Sequence, residues 1–361
     1  MARSGFAGRT TLVAVAAVAA VAAVAAIAAR PAAAQSQASL PRHGHRAEGA
    51  DRQPFALSTK KPIHVGHNPC DIAITPNGHT AYVVNCDDYT VTPINLATGT
   101  PGSAIKISRS PGAIAITPNG RTAYLTNEGV SGNGRTVTPI NLATGKSRPA
   151  IKVGGWDPDA IAITPNGRTA YVGEYSSNKV TPISLATGKS RPAIKAGREP
   201  SAIAITPNGR TAYVANYSFN TVTPINLATG KPRPAIKVGN SPAAIAITPN
   251  GRTAYVANYD WPGNGGTVTP INLATGKPRS AIKVGKGPVA IAITPDGKTA
   301  YVADRGDYSG DTVTPINLTT GKPGHPIKVG RVPVAIAITP DGRTAYVVNS
   351  WDNTVTPIRI K

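Results

Sequence analysis

The stretch Ile203-Ala-Ile-Thr-Pro-Asn-Gly-Arg-Thr-Ala-Tyr-Val-Ala-Asn216 is one of several near copies in this chain of 361 residues. Ile-Ala-Ile-Thr-Pro, followed by Asn or Asp and then Gly, occurs seven times, and each copy is followed by Thr-Ala-Tyr. Two alternating apolar runs flank a turn in which Pro presets φ and Gly accepts a positive φ. Each copy is therefore predicted to form a β-hairpin of strands a and b. The prolines that mark the copies are Pro76, Pro118, Pro165, Pro207, Pro249, Pro295 and Pro340.

Two further motifs follow each hairpin. Val-Thr-Pro-Ile, predicted as strand c, occurs seven times, and a run such as Pro149-Ala-Ile-Lys-Val-Gly154, predicted as strand d, follows six of these copies. Four strands in a repeat of about 42–47 residues are typical of a β-propeller blade. The sequence therefore predicts an all-β, seven-bladed β-propeller of four-stranded antiparallel blades. Because the Pro in strand c lacks a ladder donor, a bulge is expected there.

The two ends of the repeat region complement each other. The last copy stops at Ile360 without a strand d, and the orphan Pro62-Ile-His-Val-Gly66 matches that strand. We expect the N-terminal strand to close the ring by completing the last blade, three strands plus one, so that no sheet edge stays open. The predicted propeller spans 60–361, and residues 35–59 are predicted to be a disordered polar linker whose histidines are solvated.

Residues 1–34 are typical of a secretory signal peptide. Arg3 and Arg9 make the start basic, an uncharged Ala/Val run extends from Leu12 to Ala29, and small residues up to Ala34 offer a cleavage site. An uncleaved membrane anchor is the alternative. Cleavage would give a secreted protein, extracellular or on the cell surface, with no transmembrane segment. We expect this protein to be a monomer.

The motif Tyr-Val-x-Asn gives the repeat a family resemblance. Tyr213-Val-Ala-Asn216, Tyr124-Leu-Thr-Asn127 and Tyr346-Val-Val-Asn349 each follow Thr-Pro-(Asn/Asp)-Gly-x-Thr-Ala. The repeats resemble the YVTN family of β-propeller proteins, which includes periplasmic YncE-like proteins and archaeal surface-layer proteins. The resemblance covers all seven repeats and implies the propeller fold. It also implies binding or surface roles, with DNA binding in the YncE-like group and haem or enzyme complexes in some relatives.

Cys70 and Cys86 are the only cysteines of the chain. They stand at the start of strand a and the end of strand b in the first blade, and pairing about the turn at Asn77 and Gly78 places them opposite each other. Secretion would supply an oxidising compartment. A disulfide is therefore predicted, and a reduced pair or a catalytic thiol is the alternative.

Charge is predicted to divide between the two faces of the disc. The a–b and c–d turns form one face, called the basic face, which holds fifteen basic and two acidic residues. This excess accounts for much of the net charge of +21 and favours adhesion to a polyanion such as DNA or teichoic acid. A solubilising turn consensus is the alternative. The predicted polyanion-binding residues are Arg121, Arg168, Arg210, Arg252, Lys298 and Arg343.

The opposite face, called the top face, holds the b–c loops and the connections from strand d to strand a. All three tryptophans and thirteen acidic residues are expected there. Aromatic rings beside carboxylates suit a glycan, a small molecule or a protein ligand. Packing between loops is the alternative role for the rings. The predicted ligand pocket consists of Trp156, Asp159, Glu174, Trp261, Asp304 and Trp351.

These features predict a ligand-binding or cell-envelope interaction module. A hydrolase or lyase that uses carboxylates of the top face is the alternative. The four histidines of the propeller do not cluster in a His-based triad, and no Gly-rich phosphate loop precedes a helix. We therefore expect no catalytic residue, no metal and no cofactor.

Overall fold

Seven antiparallel sheets follow one another along the chain in the computed structural model, which describes residues 58–107, 110–128, 135–260, 265–306 and 308–360. Each sheet contacts the next, and the last contacts the first. The protein is a seven-bladed β-propeller, as predicted. The predicted signal peptide and most of the predicted linker lie outside the described residues. Within the described residues no helix is both long and apolar enough to span a membrane.

Three full strands build each blade. Strands a are Pro69–Ile74, Pro111–Ile116, Pro158–Ile163, Pro200–Ile205, Pro242–Ile247, Pro288–Ile293 and Pro333–Ile338. Strands b are Thr80–Asn85, Thr122–Asn127, Thr169–Glu174, Thr211–Asn216, Thr253–Asn258, Thr299–Asp304 and Thr344–Asn349. Strands c are Thr90–Asn95, Thr136–Asn141, Lys179–Ser184, Thr221–Asn226, Thr267–Asn272, Thr312–Asn317 and Thr354–Arg359.

The outer strand d is split into two short segments. In blade 4 these are Lys231–Pro232 and Ile236–Lys237, and both pair with strand c. The pairs in blades 1, 2, 3, 5 and 6 are Thr100–Pro101 with Ile105–Lys106, Lys146–Ser147 with Ile151–Lys152, Lys189–Ser190 with Ile194–Lys195, Lys277–Pro278 with Ile282–Lys283, and Lys322–Pro323 with Ile327–Lys328.

The bulge expected at the Pro of strand c is absent. Pro224 pairs with Tyr213 in an unbroken register, and the same pairing recurs in every blade. The Pro faces the interruption of strand d, where an N–H donor is not needed, and its carbonyl oxygen accepts the N–H of Arg233 at 2.7 Å. The prediction was wrong because the missing donor is accommodated by a break in the outer strand.

The irregularity lies instead in strand a. In blade 3, Pro158 pairs with Glu174 and Ala160 pairs with Gly173, so that Asp159 has no partner residue on strand b. A register shift at this position occurs in all seven blades. Because consecutive strands a contact one another around the ring, the bulged residues lie beside the central channel.

Alternating small and large apolar residues form the core between blades. In blade 1, Val83 packs toward blade 7, while Tyr82 and Val84 pack toward blade 2. Both faces of each sheet are thus covered by neighbouring sheets, which explains why the strands read as nearly continuous apolar runs. The core consists of these interfaces, and the central channel is lined by strands a.

The first and last strands of the described residues meet in blade 7. Ile63–His64 pairs with Val355 and Thr354, and Ser58–Thr59 pairs with Arg359 and Ile358. Ile63 is buried and packs in the cluster that joins blades 7 and 1. The pairing starts at Ser58, so two residues assigned to the linker from the sequence belong to a sheet.

A disulfide joins Cys70 to Cys86, as predicted, with a Cα–Cα distance of 6.0 Å. Cys70 occupies the bulge of strand a, and Cys86 directly follows strand b. The backbone N–H of Cys86 donates to the carbonyl oxygen of Asn68 at 3.1 Å. The bridge therefore connects the two positions of blade 1 that border the channel. An oxidising extracellular environment is consistent with it.

Candidate functional site

The structure spreads the predicted top-face residues over several blades. Trp156 lies in the connection that leads into blade 3, where its side chain is 39% exposed. The guanidinium carbon of Arg135 stands 3.0 Å from the centre of its ring. The Trp156 N–H donates to the hydroxyl of Ser177 at 2.6 Å. This ring is a partly exposed surface whose face is already occupied by a cation of the protein.

Trp351 belongs to the b–c loop of blade 7 and is 59% exposed. Arg331 lies 5.7 Å from its ring centre and forms an ion pair with Asp352 at 2.6 Å. Trp261 lies outside the described residues. The described tryptophans therefore stand in separate blades, each beside its own arginine.

Glu174 and Asp304 occupy a position that is Asn in the other five blades. In blade 4, the Asn216 amide donates to the Thr223 hydroxyl at 2.9 Å and accepts the Gly197 N–H at 3.0 Å. This side chain thereby links strand c to the connection that arrives from the preceding blade. The position is a buried clamp inside the blade.

The two acidic clamps also bond to a Thr of strand c, but here the Thr hydroxyl donates and the carboxylate accepts. Glu174 accepts the Thr181 hydroxyl at 2.6 Å, and Asp304 accepts the Thr314 hydroxyl at 2.5 Å. Both side chains are buried. Burial raises the pKa of Glu174 and raises the pKa of Asp304 to about 7. The structure thus places these two residues in blade clamps. The carboxylate of Glu174 also lies against Gly154 and Gly155, directly before Trp156.

The residue that follows the clamp borders the channel in every blade. In blade 4 the Tyr217 N–H donates to the Glu199 carbonyl oxygen at 2.9 Å, and the equivalent bond recurs in all seven blades. Tyr217 also packs with the bulged residue Ala243 of the next blade and with Val289 and Tyr259. These seven residues are called the channel mouth; they are Cys86, Glu128, Tyr175, Tyr217, Tyr259, Arg305 and Ser350.

The acidic part of the mouth lies at blades 2 and 3. Glu128 occupies the space that Gly112 leaves open, since a side chain at Gly112 would collide with its carboxylate. Burial raises the pKa of Glu128 to about 7, and the negative charge of Asp157 adds to this effect. Burial also raises the pKa of Asp159, with contributions from Glu128, Asp157 and Asp71. Four carboxyl groups therefore influence one another here.

Asp159 is the least satisfied of these groups. It is 4% exposed, and its Oδ2 atom has no hydrogen-bond partner among the described residues. Asp71, by contrast, accepts the N–H groups of Ile72 and Ile114, both at 2.8 Å, and so ties blade 1 to blade 2. Burial raises the pKa of Asp71 against the effect of these bonds. Asp71 is structurally satisfied, and Asp159 is available for a further partner.

Tyrosines form the next part of the mouth. The Tyr175 hydroxyl donates to a carboxylate oxygen of Glu199 at 3.1 Å. Burial, followed by the charge of Glu199, raises the pKa of Tyr175, and the charge of Asp159 contributes as well. Arg305 continues the ring in blade 6, buried and 4.2 Å from the centre of the Tyr308 ring. The mouth therefore changes from acidic to aromatic to basic around one ring.

Three acids in or beside the channel mouth were recognised from the sequence only as members of the top face. Glu128, Asp157 and Asp71 were not assigned to the predicted pocket. The sequence does mark two of them as departures from the repeat. Glu128 follows the clamp residue, where blades 3 to 5 have Tyr, and Asp71 stands where the other six blades have Ala. Within the described residues, no set of three His, Cys, Asp or Glu side chains could hold a metal ion.

On the basic face, the a–b turns contact one another in a closed ring. The Gly of each turn lies against the Pro of the preceding turn, for example Gly251 against Pro207, and Gly78 against Pro340 closes the circle. The side chain after each Gly is exposed. These cations are called the basic rim and are Arg121, Arg168, Arg210, Arg252, Lys298 and Arg343, with His79 at the seventh position.

The two acids of this face are used within the turns. Asp296 accepts the Thr294 hydroxyl at 2.6 Å and the Lys298 N–H at 3.0 Å. Asp341 makes the equivalent bonds in the last blade. In the other rim turns the Asn side chain does the same, as in the bond from the Arg210 N–H to Asn208 at 3.0 Å. The acids therefore shape the turns and do not pair with the rim side chains.

Comparison with known proteins supports the fold. No protein-family model and no curated protein matches the chain. Among solved structures, a chain of hydrazine synthase from Kuenenia stuttgartiensis is similar, with a TM-score of 0.73 and 23% sequence identity over 82% of this chain and 97% of that chain. At this identity the likeness is one of fold.

Proposed function

We propose that this propeller is a secreted binding protein of the cell envelope, which attaches to an anionic polymer through its basic face and holds a smaller ligand on its top face. The disulfide suits an oxidising compartment, and residues 1–34 have the pattern of a secretory signal. The resemblance to YVTN repeats, many of them in surface proteins, points the same way.

The scarcity of acidic partners around the basic rim carries this proposal, since only Lys298 and Arg343 have an acid, Asp296 and Asp341, in their own turns. Four ion pairs occur within the described residues, and all of them involve other parts of the molecule: His67 with Asp88, Arg198 with Glu199, Lys328 with Asp311, and Arg331 with Asp352. The rim cations are exposed, and none of them forms an ion pair with a residue that the structure describes. A face of this kind attracts polyanions, and the neutralised charges release counterions.

The rim also indicates what kind of polymer it would hold. Its cations come from adjoining blades at equivalent positions, so that several can contact the successive charges of one chain. The a–b and c–d turns contain no Trp, Tyr or Phe. Single-strand binders combine a basic groove with aromatic rings that stack on bases. We therefore infer recognition of a charged backbone, such as a phosphate polymer, without readout of bases.

Binding to inorganic polyphosphate tests this proposal. The dissociation constant would be measured at several salt concentrations for the wild-type protein and for the triple variant Arg168→Glu, Arg210→Glu, Arg252→Glu. A matched control is Lys195→Glu, Lys237→Glu, Lys283→Glu, which changes the same charge in the same blades on the exposed strands d. Wild-type affinity should fall steeply with salt.

The rim variant should bind at least about tenfold more weakly, with a salt slope reduced by about two to three contacts. The strand d variant should lose much less. Equal losses in both variants would mean that net charge alone attracts the polymer. Salt-independent binding, or no binding at low salt, would return the rim to the role of a solubilising surface.

A further inference from the structure

We propose that the channel mouth at blades 2 and 3 is a binding site for an organic cation, a primary ammonium or guanidinium group held by Asp159 and Glu128 beside Tyr175. This inference rests on the proposed ligand-binding role of the top face and names its ligand class and residues. It does not depend on polymer binding by the basic face.

The first support is the unsatisfied carboxylate. Asp159 is buried in the bulge of strand a, and its Oδ2 atom has no partner in the described part of the chain. A buried carboxylate without a full set of hydrogen bonds is costly, so native proteins keep one where a ligand or a function compensates it. Blades 4 and 5 show that the fold does not require it, because they have Ser201 and Ala243 at this position.

The second support is that, among the described residues, no cation is paired with Asp159 or Glu128. The groups that act on Asp159 are Glu128, Asp157 and Asp71, all of them acidic, and neither Asp159 nor Glu128 forms an ion pair among the described residues. Tyr175 faces the same group. The Asp157 carboxylate accepts the Ser176 hydroxyl. An incoming cation would therefore relieve repulsion between several carboxylates at once.

The third support concerns the type of cation. Within the described ranges no three His, Cys, Asp or Glu side chains are grouped as metal ligands. The neighbouring mouth positions are instead tyrosines: Tyr175, Tyr217 and Tyr259. Aromatic faces beside carboxylates suit an ammonium or guanidinium group on a carbon chain. Glu199 accepts the Tyr175 hydroxyl and would hold this ring in place.

Proton linkage gives the site a recognisable signature. A cation favours the ionised form of the carboxyl groups, whereas burial favours their protonated form. Because the pKa of Glu128 is raised to about 7, binding should release protons near neutral pH. Affinity should therefore rise as the pH increases from 5 to 8, by up to about tenfold per pH unit for each proton released.

Calorimetric titration of the purified protein with N-acetyl-lysine methylamide and N-acetyl-arginine methylamide tests the inference. N-acetyl-norleucine methylamide is the uncharged control ligand. The variants are Asp159→Ser, which copies blade 4, and Glu128→Gln. The matched control is Asp352→Asn, which removes an acid of the same face in blade 7. Polyphosphate binding is measured on the same samples, and thermal unfolding shows whether each variant is folded.

Asp159→Ser should weaken binding of the charged ligands at least about tenfold without lowering the unfolding temperature. Glu128→Gln should weaken binding and flatten its pH dependence between pH 5 and 8, and Asp352→Asn should stay within about twofold of the wild type. Equal binding of the norleucine compound, an unchanged Asp159→Ser variant, or no amine binding while polyphosphate still binds would overturn this inference alone. If the wild-type protein does not bind polyphosphate, that result would instead count against polymer binding by the basic face.

Discussion

The two faces of the disc come from the same seven repeats, but they keep the repeat to different degrees. On the basic face each a–b turn has the same conformation and the same contact with its neighbour, and six of the seven turns expose a Lys or Arg. At the channel mouth the equivalent residues are a cystine, a Glu, three Tyr, an Arg and a Ser. Where the turn sequence is repeated, equal charges accumulate over a whole face. Where the residues differ from blade to blade, a distinct local site results.

The closed ring supports both faces, so opening it should have the largest effect. Deleting residues 58–66 removes the strand segments that pair with Thr354–Arg359, together with the buried side chain of Ile63. The free energy of unfolding should fall by at least about 4 kcal/mol, since an Ile truncation alone typically costs about 2–5 kcal/mol. Urea unfolding would measure this. A variant lacking only residues 1–57 is the control, and equal midpoints in both would contradict closure by the N-terminal strand.

Removing the disulfide should have the next largest effect on the free energy of unfolding, and its effect on binding should be limited to the channel mouth. The double variant Cys70→Ala, Cys86→Ala opens a loop of 16 residues. The chain-entropy model assigns such a loop about 3 kcal/mol. Urea unfolding should show a loss of this size, and polyphosphate binding should remain unchanged because the rim lies on the other face. An unchanged midpoint would show that the blade interfaces alone hold blade 1 together.

The acidic part of the mouth should make stability depend on pH. The folded state holds the proton of Glu128 more tightly than the unfolded state, because burial and Asp157 raise its pKa from 4.5 to about 7. Wild-type stability should therefore decrease as the pH rises through this range. Glu128→Gln should be as stable as the wild type at pH 4 and about 3 kcal/mol more stable at pH 8. A constant difference at both pH values would exclude this titration.

Substitutions on the basic face should have the smallest effect on the free energy of unfolding. Like charges around the rim repel one another weakly in solvent, so the triple variant of Arg168, Arg210 and Arg252 to Glu should be as stable as the wild type or more stable by a few tenths of a kcal/mol. Thermal unfolding at low salt would detect this. Early unfolding of this variant would mean that the arginines support the turns, which would weaken the contrast between the two faces.

The fold was predictable because turn chemistry and period dictate it. Pro-Asn-Gly turns separated by short alternating runs allow little besides hairpins, and seven copies of about 42–47 residues give seven blades. The disulfide followed from the same hairpin geometry. The bulge was misplaced because a strand pattern does not show that strand d breaks opposite Pro224 and its equivalents.

The site was predictable only in part. Glu174 and Asp304 depart from the repeat consensus, but they replace a buried Asn clamp, and a sequence does not show that a position is closed to solvent. Asp159 was among the predicted ligand-binding residues, whereas its neighbours Glu128 and Asp71 come from other blades. Their proximity depends on the bulge in strand a and on ring closure, which bring together residues that are distant in the chain.

Hydrogen–deuterium exchange with each ligand tests most directly whether the two faces bind opposite charges independently. Exchange would be followed in the free protein, with polyphosphate, and with N-acetyl-lysine methylamide. Polyphosphate should slow exchange in the a–b turns, for example 206–211 and 248–253, and leave the segments around Glu128 and Asp159 unchanged. The amine should do the reverse. Protection of the channel mouth by polyphosphate, or of the turns by the amine, would contradict the division of functions between the two faces.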